Sequence, residues 1–481
     1  MMSAPRLALA LACAALACRS APESAGPVLK DTPFVALGPA DFGVHPQLGI
    51  EVGARHLLVF FRDDADDAAI RRALAAAGGE LAGVDATLRY AFVRLPEGAG
   101  WPALDAARGA LLADPAVESV SYDMLLEPSI IPPPRDGQLG HPSSNWLADL
   151  GWNWGLKAIG APQAWNLIPF LFTLEPARRV QVGVVDASFT EHPDLRGVFT
   201  AHHRDDWDVE ERAAESLVLE QTDPGFAHGT FVAGLIGANW NSRHSDGVVP
   251  PPFVRVHGAV ERGTASIWQH YSGSFGPERM ATSFGAGMSR AGDLLLREQP
   301  DIRILNISLG FNWYSRSVNG GICDPRPPVI TPTSNCDPAT VRAAIDASGR
   351  AFATFVRRVN AARPVLFVVA AGNDSHVLTT LPASLASPPC NAALAQGAAD
   401  ILVVGAHEPT VSTLEPVRAA RFSDPGAHLF APGVDVLGLT GAGGQWVARA
   451  DSGTSFAAPI AAGAAAYLHL LNPRLGNANL K

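Results

Sequence analysis

The sequence predicts an α/β protein, in which a parallel sheet flanked by helices is preceded by a small α+β domain. From about residue 154 onward, short and wholly apolar runs alternate with helix-like segments. These runs lie at residues 180–185, 254–259, 302–307, 365–370 and 401–406. Strands that are buried on both faces have such continuous apolar runs, and their alternation with helices predicts parallel pairing.

A smaller unit precedes this pattern at residues 54–128. Strand-like runs and helix-like segments follow one another in the order 56–61, 66–77, 88–95, 104–112 and 117–122. That order predicts an α+β domain with two helices on one face of a sheet.

Two segments rich in Pro, Gly and Ala or Ser predict linkers, at residues 19–53 and 129–153. The large α/β domain then occupies residues 154–481. Exposed linkers are where proteolytic nicking concentrates, so the second of them is a candidate processing region.

The composition is that of a globular protein, with 47% hydrophobic and 17% charged residues. The formal net charge is −10, and the sequence has no run of Lys and Arg. Because binding to phosphates needs clustered basic residues, a nucleic-acid partner is not expected.

The first 18 residues resemble an export signal. Arg6 is followed by eleven apolar residues, too few for a membrane-spanning helix, which needs about twenty. The sequence ALAC at 15–18 loosely resembles a bacterial lipoprotein box, which would place a lipid on Cys18 and attach the protein to a membrane. Plain cleavage and release is the alternative. Either reading predicts an extracellular or cell-envelope protein.

Three cysteines lie beyond the signal, and two of them are close in sequence. Cys323 and Cys336 flank a Pro- and Asn-containing segment and could close a short loop as a disulfide in an exported protein. Two free thiols are the alternative. The sequence has no C-x-x-C pair and no Cys/His cluster with zinc spacing, so a zinc site is not expected.

Three polar residues interrupt the α/β pattern where such folds place active sites. Asp186 closes the apolar run 180–185, His228 heads the small-residue segment HGTFVAG, and Ser455 lies in SGTSFAAP before an apolar helix. Each alone has an ordinary structural explanation as a turn residue, a structural His or a helix cap. Together they supply a nucleophile, a base and the carboxylate that orients the base.

These motifs resemble those of the subtilisin family of serine proteases over residues 154–467. Asp–His–Ser is the chain order of that family. The segment WGLKAIGAPQAW at 154–165 is similar to the entry segment of the family. Phe456 stands where Met is usual in the serine motif, and Phe231 where a second His is common in the histidine motif.

The resemblance implies further site residues. Asn373, at the end of VVAAGN, would stabilise the oxyanion together with the Ser455 N–H. The segment NISLG at 306–310 resembles the edge strand that pairs with a substrate backbone. The pocket for the residue before the cut would be framed by Ser308, Leu309, Gly310, Ala371 and Gly372.

The resemblance also suggests a structural calcium ion, although catalysis would require no cofactor. Asp194, in HPDL at 192–195, resembles a calcium ligand of the family, and Asn241 falls at the position of a second ligand. Carboxylate and amide oxygens suit Ca²⁺. A polar surface loop without metal is the alternative.

The unit at 54–128 resembles the inhibitory propeptide of the family, which makes the protein's own propeptide an expected partner. A zymogen of this kind cuts itself in the region 127–153. A permanent N-terminal binding domain is the alternative.

The sequence therefore predicts a secreted or envelope-anchored serine endopeptidase that acts on polypeptides. One alternative is a catalytically weak binding protein of the envelope. In its favour, Ala187 and Ser188 replace the Ser/Thr-Gly that usually follows the catalytic Asp, and the chain ends 26 residues after Ser455, as a fragment or a minimal variant would. Another serine hydrolase, such as an esterase, would be expected to have a G-x-S-x-G motif. A sedolisin-like protease would have Glu in place of His228.

Overall fold

The computed structural model describes most of the two predicted domains. It covers residues 27–32, 34–35, 37, 41–48, 51–128, 154–168, 171, 179–186, 189, 192–203, 228–240, 245–260, 269–270, 278–279, 282–283, 291–311, 337–375, 381–409, 417–442 and 445–481. The predicted signal at 1–18 and the linker at 129–153 fall outside these ranges. So do six residues on which predictions were made: Cys18, Ala187, Ser188, Asn241, Cys323 and Cys336.

The N-terminal unit is an antiparallel sheet with two helices. Its elements are β1 (Phe42–Val44), β2 (Glu51–Phe61), α1 (Asp67–Ala77), β3 (Glu80–Asp85), β4 (Tyr90–Arg94), α2 (Trp101–Ala113) and β5 (Val117–Pro128). The strands pair in the order β5–β2–β4–β3, with β1 added to β2. The Asp66 carboxylate caps α1 by accepting from the Ala69 N–H at 2.8 Å, and Gly78 ends this helix with a φ of 64°.

The compact N-terminal unit begins earlier than residue 54. Phe34 and Leu37, in the segment predicted as a linker, are 3% exposed, and the ring of Phe34 stacks on Tyr90 at 5.4 Å between centroids. These two apolar residues and strand β1 therefore belong to the core of the unit.

The second unit alternates strands and helices, as its sequence predicts. Its elements are α3 (Trp154–Ala158), α4 (Ala161–Ala164), β6 (Val180–Val185), β7 (Phe199–His203), α5 (His228–Gly237), β8 (Val254–Val260), β9 (Gln269–His270), β10 (Glu278–Arg279), β11 (Thr282–Ser283), α6 (Ala291–Glu298), β12 (Ile302–Ile307), β13 (Leu309–Gly310), α7 (Pro338–Ala362), β14 (Leu366–Ala370), α8 (Pro388–Leu394), β15 (Ile401–His407), β16 (Leu429–Pro432), β17 (Val436–Ala442), β18 (Gln445–Asp451), α9 (Thr454–Leu471) and α10 (Asn477–Leu480).

A parallel sheet forms the centre of this unit. Its strand order is β16–β15–β14–β12–β6–β8–β7, and each of these pairs is parallel. The chain builds the sheet to one side from β6 through β8 and to the other side from β12 through β16. Such a reversal is where α/β sheets place their sites, at the carboxyl ends of the strands. The predicted fold class, a parallel sheet flanked by helices, is confirmed.

Two apolar helices, α5 and α9, pack on each other and on the sheet. All ten residues of α5 are buried. Helix α9 is long and apolar enough to cross a membrane, but 78% of it is buried inside the protein, as expected for a core helix. The rings of Phe231 in α5 and Phe456 in α9 lie 4.3 Å apart between centroids. The two helices therefore bring the His228 and Ser455 motifs to the centre of the molecule.

The N-terminal unit lies on the second unit. Strands β2 and β5 contact helix α7. The end of β5 continues into the second unit, where it pairs with the short strands β13 and β11. The last residues of the N-terminal unit therefore lie beside the strand end that carries Ser308.

Candidate active site

Asp186 and His228 form a buried hydrogen-bonded pair. Asp186 directly follows β6, and His228 is the first residue of α5. The two residues are 2% and 0% exposed, and His228 Nδ1 lies 2.9 Å from each carboxylate oxygen of Asp186. Because a carboxylate can only accept, Nδ1 is the nitrogen that donates to Asp186, and Nε2 is on the opposite side of the ring.

Ser455 is at the second position of α9, the helix that packs on α5. The ring of its neighbour Phe456 is 5.7 Å from the His228 ring between centroids. The Ser455 hydroxyl donates to the carbonyl of Ser308 at 2.9 Å, and the Ser308 hydroxyl donates to the carbonyl of Ser455 at 2.9 Å. The side chain of Ser455 is therefore turned towards the end of β12, and attack on a substrate would require it to rotate towards Nε2.

Asn373 is held by the residue that precedes Ser455. Its Oδ1 accepts hydrogen bonds from the backbone N–H and the hydroxyl of Thr454, both at 2.9 Å. The hydroxyl of Thr454 in turn accepts from the N–H of Gly372 at 3.1 Å. Since Oδ1 accepts from Thr454, Nδ2 is the donor end of this amide.

The predicted substrate edge pairs with the chain's own β5. Leu309 pairs with Pro128 and Gly310 with Glu127, in antiparallel register. Just before these residues, Leu125 and Leu126 of β5 pair with strand β11, also in antiparallel register. An extended segment that pairs antiparallel with short strands has the geometry of a peptide that adds to a sheet edge.

The other predicted pocket residues lie around this edge. Ser308, Leu309 and Gly310 are buried, and so are Ala371 and Gly372, which follow β14. Gly372 has a φ of 101°, a conformation that glycine adopts without strain. The structure thus brings the five predicted pocket residues and Asn373 to the carboxyl ends of β12 and β14.

A second buried carboxyl group, Asp424, was missed from the sequence. Its Oδ1 accepts from the Asp374 N–H at 2.9 Å and from the Ser375 hydroxyl at 3.0 Å. Burial raises the pKa of Asp374 to about 7. Burial, and then the charge of Asp374, raises the pKa of Asp424 well above its usual range. In sequence, Asp424 stands before Pro-Gly, a context typical of an ordinary turn.

A pair of acidic residues lies near the predicted calcium position. Asp194 is 2% exposed in the short 3₁₀ turn Pro193–Leu195. Burial, and then the charge of Asp194, raises the pKa of Asp246 to about 6. The part of the chain that the structure describes has no group of three or more His, Cys, Asp or Glu residues that could hold a metal. Sequence reasoning missed Asp246, although its position in the loop after α5 could have suggested it.

Comparison with known proteins gives one consistent family. The sequence model of the subtilase family matches residues 177–481. Subtilisin BL of Lederbergia lenta is 28% identical over 337 residues, which are 68% of this chain and 88% of the relative. An alkaline protease of Shouchella clausii is also 28% identical over 337 residues, covering 62% of the relative.

The fold agrees with these sequence matches. The structure resembles that of fervidolysin from Fervidobacterium pennivorans, a keratinolytic enzyme related to subtilisin, with a TM-score of 0.53 and 18% identity. The match covers 93% of this chain and 60% of fervidolysin.

Proposed function

The chain belongs to the subtilase family of serine peptidases, and from that premise we propose that it is an exported serine endopeptidase made as a self-processing zymogen. The observation that carries the proposal is the buried His228–Asp186 pair, 2.9 Å between Nδ1 and the carboxylate, beside the helix that begins with Thr454-Ser455. A neutral imidazole in this orientation is the base that a serine hydroxyl needs.

The proposed reaction uses four side chains. The Ser455 hydroxyl attacks the scissile carbonyl while His228 Nε2 takes its proton and later gives it to the leaving amine. Asp186 orients the imidazole and stabilises its charged form. The Nδ2 group of Asn373 and the Ser455 N–H donate to the oxyanion, where preorganised donors have their largest effect on rate.

The experiment is hydrolysis of denatured casein together with labelling by a fluorophosphonate. Ser455→Ala and His228→Ala are expected to abolish both, since loss of either residue in subtilisin lowers kcat by about 10⁶. Ser452→Ala is the matched control, because that hydroxyl accepts from the Asp435 N–H and has no proposed role in catalysis. Labelling of Ser455→Ala at the wild-type level would contradict the proposal, whereas a wild type that takes no label would leave the inert envelope binding protein as the better proposal.

The zymogen proposal has support from the position of β5. Its last residues pair antiparallel with β11 and then with β13, as a bound peptide would. A segment in that place excludes other substrates until it is cut and leaves. A permanent N-terminal binding domain would instead remain joined to the rest of the chain.

Export is proposed from the sequence. It would determine whether Cys18 carries a lipid and whether Cys323 and Cys336 form a disulfide. The signal-like segment 1–18 supports export, with lipidation of Cys18 or simple release as its two outcomes. An oxidising compartment would then permit the bridge between Cys323 and Cys336.

A structural calcium ion is proposed near Asp194. Asp194 and Asp246 fit a hard cation, because the turn at 193–195 and the loop after α5 bring two carboxylates into a poorly solvated place where their charges repel. Asn241 would supply an amide oxygen. The ion would stabilise the loop after α5 and would take no part in peptide hydrolysis.

A further inference from the structure

The turn that carries Asn373 is hydrogen-bonded to the carboxyl group of Asp424, which has no part in the proposed reaction. Asp424 is fully buried ahead of β16. Its Oδ1 accepts from the Asp374 N–H at 2.9 Å and the Ser375 hydroxyl at 3.0 Å, and its own N–H donates to the Gly372 carbonyl at 3.1 Å. These bonds reach both sides of Asn373, so Asp424 fixes the conformation of the turn.

The surroundings of Asp424 disfavour a negative charge. Its Oδ2 is buried without a hydrogen-bond partner in the part of the chain that the structure describes. A Cβ added to Gly372 would overlap this oxygen, so the carboxyl group lies directly against the turn.

The titratable groups that face Asp424 give it no positive partner. They are the carboxyl group of Asp374, in the turn after β14, and the thiol of Cys390, on α8. Burial raises the pKa of Cys390 to about 12, so the thiol stays neutral. Among the described residues, no Lys, Arg or His pairs with Asp424 or Asp374. A buried carboxylate without a cation is costly, and protonation removes that cost.

We propose that Asp424 is a positioning residue that works as a neutral carboxylic acid. While protonated, it holds Asn373 in place, and its ionisation loosens the turn and lowers kcat. This inference rests on the proposed peptidase function and on Asn373 as an oxyanion donor. The sign follows from the direction of the pKa shift: the neutral form, and the order it maintains, is present below the raised pKa and is lost as the pH rises through it.

The test is the pH dependence of kcat and KM on a soluble peptide substrate. In the wild type, kcat is expected to fall on the alkaline side by up to about 10² to 10³-fold, the effect of losing an oxyanion donor, while KM changes little. Asp424→Asn should retain its kcat there, because an amide cannot ionise and its oxygen can accept the same bonds. Asp301→Asn, which changes an exposed carboxylate, should behave as the wild type.

A third variant and a spectroscopic measurement complete the test. Asp374→Asn removes the neighbouring negative charge, so the alkaline fall should move to lower pH. Infrared difference spectra should show a protonated carboxyl band in the wild type after Asp374 has ionised, and Asp424→Asn should lack that band.

Two results would overturn the inference: equal alkaline falls in wild type and Asp424→Asn, or no protonated carboxyl band in the wild type. If Asp424→Asn does not fold, two observations still test the inference. They are the protonated carboxyl band of the wild type and the lower pH at which Asp374→Asn loses that band. An absence of hydrolysis at every pH would count against the peptidase function, while the band would still report on Asp424.

Discussion

Thr454 connects the proposed nucleophile, Ser455, to the proposed oxyanion residue, Asn373. Its N–H and its hydroxyl both donate to Asn373 Oδ1 at 2.9 Å, and its hydroxyl accepts from the Gly372 N–H at 3.1 Å. Because Thr454 immediately precedes Ser455, one short segment positions both donors of the proposed oxyanion hole. The orientation of the Asn373 amide should therefore depend on the Thr454 hydroxyl.

Replacing that hydroxyl tests this dependence. Thr454→Val keeps the shape but removes one donor to Asn373, and a hydrogen bond contributes about 1 kcal/mol net. We expect kcat to fall by about fivefold to tenfold with KM nearly unchanged, since Asn373 acts in the transition state. Thr454→Ser keeps the hydroxyl and should retain most of the activity. A wild-type kcat in Thr454→Val would show that the backbone N–H alone orients Asn373.

Contacts between distant residues are what the sequence could not predict at this scale. Phe231 and Phe456 each depart from the family motif, and the sequence shows them as two separate oddities. In the structure their rings are 4.3 Å apart, so each fills space beside the other. Asp424 is hidden from the sequence for the same reason, because its role comes from a turn 50 residues earlier in the chain.

At the scale of elements, the buried strands could be predicted and the short edge strands could not. Strands β6 and β12 have the predicted bounds, because a continuous apolar run marks a strand that is buried on both faces. Strand β11 has only two residues, and it exists as a strand through its pairing with β5. Such a strand has no periodicity of its own, so local sequence carries no signal for it.

The loop after α5 gives a prediction on metal binding. In the absence of calcium, ionisation of Asp246 beside Asp194 should destabilise the protein as the pH rises through about 6, the value to which its pKa is raised. Calcium should remove this loss, with a stabilisation of about 2.7 kcal/mol at a hundred times its dissociation constant. Thermal unfolding of the Ser455→Ala protein with calcium or with EDTA measures both effects.

The Asp246→Asn variant distinguishes a calcium site from a polar loop that binds no metal. It should be more stable than its parent in EDTA at neutral pH, because the repulsion is gone, and less stabilised by calcium. Asp301→Asn is the control and should match the parent. If the melting temperatures of all three proteins are the same with calcium as with EDTA, the loop is a polar loop without metal.

At the scale of the whole molecule, one arginine contacts the N-terminal unit at four residues. Arg358 on α7 donates to the Phe61 carbonyl at 2.8 Å and to Asp63 at 2.9 Å, and it also donates to the Leu88 carbonyl. It forms an ion pair with Glu118 at 3.1 Å. All four partners belong to the N-terminal unit, and the Arg358 side chain is only 10% exposed.

Arg358→Ala should therefore weaken retention of the N-terminal unit after cleavage. The substitution removes the hydrogen bonds that the guanidinium donates to the Phe61 and Leu88 carbonyls, and a hydrogen bond to a charged group contributes about 1.5–3 kcal/mol. Gel filtration of the cleaved wild type should show both fragments together, whereas those of Arg358→Ala should separate and proteolysis should start sooner. Arg350→Ala, exposed on the same helix, should behave as the wild type. Joint elution of the Arg358→Ala fragments would mean that other contacts dominate.

If the protein cleaves itself as proposed, the register of β5 predicts which bond is cut. Gly310 pairs with Glu127 and Leu309 with Pro128, so a peptide in this register presents the residue after Pro128 to Ser308. The carbonyl oxygen of Ser308 lies 2.9 Å from Ser455 Oγ. The carbonyl next to the nucleophile would then be that of Ser129. We predict cleavage between Ser129 and Ile130, a mature chain that starts at Ile130 by mass spectrometry, and no such cut in Ser455→Ala.

Moving the chain by one residue distinguishes register from residue preference. If pairing at Glu127 and Pro128 determines the cut, deletion of Ser129 should move it to the bond after Ile130, because Ile130 then occupies the position after Pro128. Deletion of Ser143, further along the linker, should leave the cut after Ser129. A cut that follows another serine when Ser129 is deleted would mean that side-chain preference, not strand pairing, chooses the bond. Cleavage in the Ser455→Ala protein at the same place would assign the cut to another protease.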